Sequence, residues 1–384
     1  MGFREELAAD AAQLESGGRL RILREIAPEG HGLCRCDGRT YWNFSSNDYM
    51  GIAADAELRK RFYAEYPDTA TPELALSSAS SRLLTGNTPA YTRLEAKLSE
   101  RYNHRAALVF NSGYHANIGI LPALASKEDL ILSDKLNHAS IIDGMRLADA
   151  EFRRYPHLDC DRLEAILRQK RADYRRVFLV TESVFSMDGD TADLRRLVEL
   201  KKLYDCILVV DEAHSVGVRG PKGTGLAAEL GIADEIDVLI GTFGKAFGST
   251  GAYAIMAPET RTYLINHMRP LIFTTGLPPA VLNWSCFVLD RCAEMDAERA
   301  KLRRMGETLR QAFGANTIAG DSQIVPFRIG GDREAVEKAN YFLENGFLVF
   351  AIRPPTVPPN GARLRFSLSA ALPEESIEQL RRLI

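Results

Sequence analysis

Three polar segments of this chain carry residue types that could do chemistry together. They are the Ser112-Gly113 turn, Asp211, and Lys245 enclosed by glycines in GTFGKAFG at 241–248, and each follows a short apolar run. A Ser-Gly turn that opens a helix offers free backbone N–H groups to a phosphate. A carboxylate at the end of a buried strand needs a partner. A lysine crowded by backbone is poorly solvated, which lowers its pKa and makes it a nucleophile and a base.

Together these residues match the needs of pyridoxal phosphate. That cofactor requires a phosphate cradle, a lysine for the Schiff base and a carboxylate that keeps the pyridinium nitrogen protonated. His138 also follows an apolar run and could stack on the ring, and His214 lies three residues after Asp211, within reach of the phenolic oxygen. Each residue alone has an ordinary structural explanation. Their succession at strand ends, where open parallel sheets bind ligands, predicts a pyridoxal phosphate enzyme.

The elements that must position these residues alternate between strand and helix. Short apolar runs bounded by Gly, Ser, Asp or Thr are typical of buried parallel strands, and they lie at 106–110, 130–132, 177–180, 207–210, 238–240 and 253–256. Helix-like stretches at 161–171 and 194–204 lie between them. The alternation predicts an α/β fold with a large, doubly wound, mostly parallel sheet.

The pattern changes after residue 285, which predicts a smaller C-terminal α+β domain. We expect an N-terminal arm over 1–50, the large cofactor-binding domain over 51–285 and the smaller domain over 286–384. The smaller domain should contain strands at 324–329, 348–352 and 364–368 and helices at 293–313, 333–345 and 374–384. The proline-rich segment 354–359 is predicted to be rigid and extended. Residues 4–27 should form an N-terminal helix or arm, and residues 41–49 a short strand that runs into a polar turn.

Composition narrows the partners. The chain has 384 residues with 48 basic and 51 acidic side chains, a net charge of -3, so it offers no electrostatic footprint for nucleic acid. No apolar run approaches the length of a membrane span, and the first residues lack the apolar core of a signal peptide, so a cytoplasmic protein is expected. The six cysteines form no CxxC pair, which predicts reduced thiols and no metal site.

Four motifs carry a resemblance to a known family: NFSSNDY at 43–49, TESVFSMDGD at 181–190, VDEAH at 210–214 and TFGKAFG at 242–248. With them, nearly the whole chain resembles the α-oxoamine synthases of the fold-type I pyridoxal phosphate superfamily. These enzymes join an amino acid to an acyl thioester and release carbon dioxide. The resemblance implies the fold-type I architecture and a homodimer with shared active sites.

Two further segments, AIRPPTVP at 351–358 and ARLRFSLSAA at 362–371, favour the family member of biotin biosynthesis. That member condenses L-alanine with a pimeloyl thioester of acyl carrier protein or coenzyme A. The alternatives with the same machinery are glycine C-acetyltransferase and a serine palmitoyltransferase-like enzyme. An aminotransferase of the same fold and a binding protein without catalysis are more distant alternatives.

The resemblance also assigns cofactor roles to single residues. It gives Lys245 the Schiff base and Asp211 the pyridinium nitrogen, and it stacks His138 on the ring beside the substrate. The remaining cofactor contacts are the phenolic oxygen and the phosphate. The phenolic oxygen is assigned to Ser186 and His214, and the phosphate to Ser112, Gly113, Tyr114, Thr242 and, from the partner subunit, Thr275.

Substrate roles follow in the same way. Asn47 and Arg365 match the positions that hold the amino-acid carboxylate, and Arg24 and Thr356 match substrate contacts of the biotin-pathway enzyme. Arg363 lies two residues from Arg365, so in a strand both point to one face, and spacing does not choose between them. The resemblance favours Arg365, whose fork-shaped guanidinium suits a carboxylate.

The chain departs from the family pattern in two places. Residues 77–82 (SSASSR) lack the usual glycines, and Leu372 stands where the family often has histidine.

Overall fold

The computed structural model describes residues 2–318 and 320–384, and the chain divides into two compact units. The large unit comprises residues 56–185 and 191–296. The terminal unit combines the segment up to residue 55 with residues 186–190 and 297–384. The N-terminal segment therefore groups with the C-terminal part of the chain. The predicted domain boundaries at 50 and 285 stay a prediction.

The strands are mostly short and are numbered here in chain order. They are β1 Ile26–Gly30, β2 Leu33–Cys36, β3 Arg39–Asn43, β4 Ala106–Phe110, β5 Leu130–Asp134, β6 Glu151–Tyr155, β7 Val177–Glu182, β8 Ile207–Asp211, β9 Val238–Thr242, β10 Ala252–Met256, β11 Ile324–Gly330, β12 Phe347–Leu348, β13 Ala351–Ile352 and β14 Ala362–Ser367.

The α-helices are α1 Phe3–Ser16, α2 Ala56–Ala64, α3 Pro89–Arg101, α4 Gly113–Leu124, α5 Ala139–Leu147, α6 Cys160–Lys170, α7 Leu194–Tyr204, α8 Leu226–Glu229, α9 Pro258–His267, α10 Arg269–Ile272, α11 Pro279–Ala293, α12 Asp296–Phe313, α13 Asp332–Glu344 and α14 Glu374–Arg381. Among the described residues, no helix is both long and apolar enough to cross a membrane.

The large unit is built on a seven-stranded sheet with the order β4-β10-β9-β8-β7-β5-β6. The pairs from β9 across to β6 are parallel, which confirms the α/β class with a mostly parallel sheet. Strands β5 and β7 to β10 are almost wholly buried, as expected when helices cover both faces of a sheet. The core includes Ile120, Ile131, Val180 and Ile240.

The prediction that 253–256 is a parallel strand is wrong. Strand β10 runs antiparallel to both β4 and β9. Only residues 243–251 connect β9 to β10, and a parallel neighbour needs a crossover of about a dozen residues or more. The edge strand β6 was not predicted, because four of its five residues are exposed and its sequence EFRRY lacks an apolar run.

The terminal unit contains two small sheets, with the orders β1-β2-β3-β12 and β11-β14-β13. The single strand predicted at 348–352 is in fact two short strands, because β12 pairs with β3 and β13 pairs with β14. The segment 354–359 contains turns, so its predicted extended form is wrong: Thr356 N–H donates to Arg353 O at 3.1 Å, which closes a tight turn.

Candidate active site

The carboxyl edge of the large sheet brings together the ends of four strands. Strands β4, β7, β8 and β9 end at Phe110, Glu182, Asp211 and Thr242. Ala252 of β10 pairs with both Phe110 and Thr242, which places these residues at one edge. The polar segments that the sequence singled out follow these ends, as expected for a ligand site in an open α/β sheet.

Asp211 is buried, with 7% of its surface exposed, and neutral donors hold its carboxylate. Asn117 Nδ2 donates to Oδ2 at 2.7 Å, and Ala213 N–H donates to Oδ1 at 2.9 Å. Within the described part of the chain, Asp211 has no ion-pair partner. A buried carboxylate in this state is stabilised by a cationic N–H donor, which is what a protonated pyridine supplies.

Lys245 and His214 meet at the end of β9. The distance from Lys245 Nζ to His214 Nε2 is 2.9 Å, and His214 is 4% exposed. Lys245 O accepts a hydrogen bond from Gly248 N–H at 2.9 Å, which closes the turn that carries the lysine. The two side chains that the sequence assigned to the reacting end of the cofactor therefore lie in direct contact.

His138 is held as a neutral ring at the start of α5. Ser140 N–H donates to His138 Nδ1 at 3.2 Å, and Ser140 Oγ lies 2.8 Å from the same nitrogen. Burial lowers the pKa of His138, the charge of Lys245 lowers it further, and the charge of Asp211 opposes both. Because a backbone amide can only donate, Nδ1 is the acceptor, and the proton of the neutral ring lies on Nε2.

The predicted phosphate cradle lies at the start of α4. Ser112 is the N-cap residue, and its Oγ accepts from His115 N–H at 3.1 Å. Among the described residues, no acceptor contacts the N–H groups of Gly113 and Tyr114. These groups lie at the N-terminal end of α4, where the helix dipole is positive. Two such donors at the first turn of a twelve-residue helix suit a phosphate.

The side chains around the start of α4 already form hydrogen bonds within the protein, which the sequence did not suggest. Thr242 Oγ1 donates to Gly251 O at 3.0 Å and accepts from Gly244 N–H at 3.1 Å. A Cβ atom built on Gly113 would lie 3.9 Å from Thr242, so the two residues are neighbours. The Tyr114 hydroxyl donates to Asp143 at 2.6 Å, away from the helix start, so Tyr114 can offer only its backbone.

Thr275 lies on the surface of the large unit beside the segment that departs from the family pattern. It forms an isolated bridge with Ser81, and its carbonyl accepts from Asn111 Nδ2 at 2.6 Å. The next residue is tied to the same segment, since Ser78 Oγ donates to Gly276 O at 3.0 Å. The Thr275 side chain is exposed, and its contact with a partner subunit stays a prediction.

In the terminal unit, Arg365 is the centre of a buried cluster that contains Asn47. Arg365 Nη1 donates to Asn47 Oδ1 at 3.1 Å and to Ser367 Oγ at 2.6 Å, and Nη2 donates to the Tyr49 hydroxyl at 3.1 Å. Arg365 Nε donates to the carbonyl of Ser186. Ser186 therefore meets Arg365 through its backbone, and its predicted contact with the phenolic oxygen stays a prediction.

The structure separates the two arginines that spacing left equivalent. Arg363 forms a buried ion pair with Asp188, whereas Arg365, with 9% of its surface exposed, contacts only neutral oxygens among the described residues. A buried guanidinium without a counter-ion is stabilised by a carboxylate. This difference supports Arg365, and not Arg363, as the residue that binds the amino-acid carboxylate.

The two remaining substrate residues are not brought together. Arg21, not Arg24, donates to Thr356 Oγ1, at 2.9 Å. Arg24 is exposed, and it is close enough to Cys36 to lower the pKa of that thiol, although burial of Cys36 raises it more. The roles of Arg24 and Thr356 stay predictions.

Several residues of the site were not singled out from the sequence: Asn117, Ser140, Tyr49 and Glu182. Tyr49 lies inside NFSSNDY and Glu182 inside TESVFSMDGD, so position in a motif was the available signal for these two residues. Asn117 follows the Ser112-Gly113 turn by one helical turn, and that spacing was its only signal. Glu182 is 2% exposed, and burial, together with the charge of Asp211, raises its pKa to about 8.

Comparison with known proteins gives a consistent result. A family model described as aminotransferase class I and II matches residues 39–384. The 8-amino-7-oxononanoate synthase of Chlorobaculum parvum is 51% identical over 383 residues, which cover 99% of this chain and 98% of that relative.

Solved structures agree. A serine palmitoyltransferase from S. paucimobilis with a bound PLP–myriocin aldimine superposes with a TM-score of 0.89 at 27% identity, covering 99% of this chain and 96% of that one. An 8-amino-7-oxononanoate synthase from Francisella tularensis superposes with a TM-score of 0.73 at 28% identity, covering 89% of this chain and 96% of that one.

Proposed function

Because the chain belongs to the aminotransferase class I and II family, we propose that it is a pyridoxal phosphate-dependent acyltransferase that makes 8-amino-7-oxononanoate for biotin biosynthesis. It would condense L-alanine with a pimeloyl thioester and release carbon dioxide and the free thiol. The observation that carries the proposal is the identity of 51% along nearly the whole chain, which is far above the 27% shared with the serine palmitoyltransferase.

The residues of the large unit fit pyridoxal phosphate. Lys245 offers an amine, Asp211 a buried carboxylate held by neutral donors, and the start of α4 two N–H groups for the phosphate. When bound, the cofactor links to the amino acid and stabilises the negative charge that forms on its α-carbon. Asp211 would keep the pyridine nitrogen protonated, and His138 would orient the ring from one face.

Proton transfer is the work of Lys245. Its Nζ would take the proton from the α-carbon of alanine and return one to the product after carbon dioxide has left. His214 Nε2, 2.9 Å from that nitrogen, would hold Nζ in position through a hydrogen bond. For His214 to accept this bond, its Nε2 must be unprotonated.

The terminal unit would bind the substrate carboxylate. Arg365 keeps one Nη2 N–H group that it can donate to the alanine carboxylate, and Asn47 and Tyr49 fix the orientation of its guanidinium. We further propose that the working unit is a cytoplasmic homodimer in which Thr275 contacts the phosphate bound by the partner subunit. The carrier of the pimeloyl group would be acyl carrier protein or coenzyme A.

The test is a substrate matrix with purified holoenzyme. Alanine, glycine and serine are each combined with pimeloyl-CoA, acetyl-CoA and palmitoyl-CoA, and thiol release is measured. Alanine with pimeloyl-CoA should give the highest kcat/KM, and pimeloyl-acyl carrier protein then tests the carrier. Lys245→Ala should release no thiol and is the control for background hydrolysis.

Turnover of glycine with acetyl-CoA, or of serine with palmitoyl-CoA, and none with alanine, would overturn the substrate assignment. The structural similarity to serine palmitoyltransferase makes the second of these the main competing outcome. Amino-group exchange with a keto acid in the absence of any thioester would indicate an aminotransferase.

A further inference from the structure

Glu182 is a second buried carboxyl group beside Asp211. The two residues are register partners at the ends of the parallel strands β7 and β8, and both are buried. Register partners on neighbouring strands are about 5 Å apart and point to the same face of the sheet. The proposed function uses Asp211 and leaves Glu182 without a role.

A chain of hydrogen bonds runs from Glu182 to Asp211, and strand register brings its two ends side by side; this arrangement is here called the Asp211 ring. Glu182 Oε1 accepts from His138 N–H at 2.6 Å, and His138 Nδ1 lies 2.8 Å from Ser140 Oγ. Asn117 Nδ2 donates to Ser140 Oγ at 2.9 Å and to Asp211 Oδ2 at 2.7 Å. Glu182 thus contacts the residue predicted to stack on the cofactor and adjoins the residue predicted to bind its nitrogen.

Three charged groups and one backbone amide act on the Glu182 carboxyl. Asp211 and Asp134 disfavour its ionisation, Lys245 favours it, and the backbone N–H of His138 favours it as well. Burial has the largest effect, and the pKa of Glu182 rises to about 8. Two adjacent buried carboxyls are stable when they share one proton. Among the described residues, Asp211 accepts from two N–H donors and Glu182, whose pKa is raised, accepts from one, so the proton lies on Glu182.

We propose that Glu182 is a positioning residue of the cofactor site. It holds His138 through the backbone amide and, as a neutral acid, leaves the negative charge on Asp211 for the pyridine nitrogen. The proposal rests on the cofactor of the proposed function and is independent of its substrates.

Two substitutions separate the two parts of this role. Glu182→Gln keeps an oxygen that can accept from His138 N–H but cannot ionise. Glu182→Ala removes the acceptor and leaves the amide of His138 buried and unpaired. Glu212→Gln is the matched control, because Glu212 is also buried with a pKa raised to about 7 and follows Asp211 directly, but its Oε1 accepts from Ala227 N–H at 2.9 Å, outside the ring.

The measurements need no amino acid and no thioester. They are the Kd of pyridoxal phosphate for apoprotein, the visible circular dichroism of the bound cofactor, which reports ring orientation, and the pH dependence of that signal. Glu182→Ala should weaken cofactor binding about tenfold, as expected for one unpaired buried group, and reduce the dichroism. Glu182→Gln should restore both.

The pH dependence of the dichroism tests whether Glu182 is a neutral acid. Wild type and Glu212→Gln should show a change in the dichroism near pH 8, where Glu182 ionises, and Glu182→Gln should lack it. If Glu182→Ala does not fold, the comparison of Glu182→Gln with Glu212→Gln still decides this point.

Three results would overturn the proposal: unchanged Kd and dichroism in Glu182→Ala, a Glu182→Gln variant as impaired as Glu182→Ala, or a pH step that persists in Glu182→Gln. A wild-type protein that binds no pyridoxal phosphate would instead contradict the proposed function.

Discussion

The Asp211 ring of the large unit and the Arg365 cluster of the terminal unit are both buried and polar, but they have opposite electrostatic character. The first connects two adjacent carboxyls through Asn117, Ser140 and His138, all of them neutral. The second surrounds one guanidinium with amide, hydroxyl and carbonyl oxygens. Buried charge without a counter-ion is costly. We therefore expect each region to accept a ligand of opposite charge, a cation in the first and an anion in the second.

A pair of residues within one strand shows why this difference points to ligands. Arg363 and Arg365 lie on β14 and are both buried, but Asp188 neutralises only Arg363. The charge of Arg363 is neutralised within the protein, and removing one partner of such a buried pair is destabilising. Arg365 has only neutral partners among the described residues, so we expect the two arginines to respond differently to the same substitution.

The largest effect is expected when the charged carboxylate of the Asp211 ring is replaced. Asp211→Asn keeps the shape of the side chain but cannot stabilise a protonated pyridine nitrogen. We expect kcat to fall by roughly 10²–10⁴-fold, the range for loss of a positioned acid–base partner. The KM for alanine should change little. Steady-state kinetics checks this prediction. A rise in KM as large as the fall in kcat would show that the Asp211 ring binds the amino acid.

Breaking the Arg363–Asp188 pair should lower the free energy of unfolding. Arg363→Gln removes the guanidinium that faces the buried Asp188 carboxylate, and breaking a buried ion pair costs about 3–5 kcal/mol. The midpoint of urea unfolding should fall, while the KM for alanine measured on folded protein should stay at the wild-type value. A raised KM would assign the substrate carboxylate to Arg363.

The same substitution in the Arg365 cluster should give the converse result. Arg365→Gln removes a charge-assisted hydrogen bond to the substrate, and we expect the KM for alanine to rise about 10- to 100-fold. The visible spectrum of the bound cofactor should not change. An unchanged KM together with a large loss of stability would make Arg365 a structural residue like Arg363.

The smallest effect is a pH dependence of stability caused by Glu182. Its folded pKa, about 8, lies above the ordinary value of 4.5, so between these pH values the folded state holds a proton that the unfolded state has lost. Folded stability from this group is therefore greatest below pH 4.5 and falls as pH rises towards 8, by ~1.4 kcal/mol per pH unit at most. In Glu182→Gln this slope should disappear. Urea unfolding of both proteins at pH 6 and pH 7.5 measures it, and parallel slopes would contradict the raised pKa.

Much of the large unit could be predicted because its signals are local. An apolar run followed by a turn residue identifies a strand end within a few residues, and the runs at 106–110 and 207–210 are strands in the structure. The direction of β10 could not be read from its own residues, because direction depends on the length of the connection. The edge strand β6 was missed because an edge strand does not need an apolar run.

Substrate residues were harder to predict than cofactor residues. The segment containing Arg21 and Arg24 has arginines at close spacing, and only the folded chain shows that Arg21 is the one that reaches Thr356. The local sequence does not distinguish these two side chains, and in the structure both are exposed.

By itself, the sequence determined which chemical groups the protein has and which strand ends carry them: the lysine in its glycine turn, the carboxylate of Asp211 and the Ser112-Gly113 helix start. It also determined the family, through motifs spread along the chain. The tertiary structure alone decided that Glu182 adjoins Asp211, that Asn117 and Ser140 join Asp211 to His138, and that Arg363, not Arg365, pairs with Asp188. Apart from the local contact of Ser140 with His138, these contacts join residues separated by 23 to 175 positions along the chain, and only strand register and packing bring such residues together.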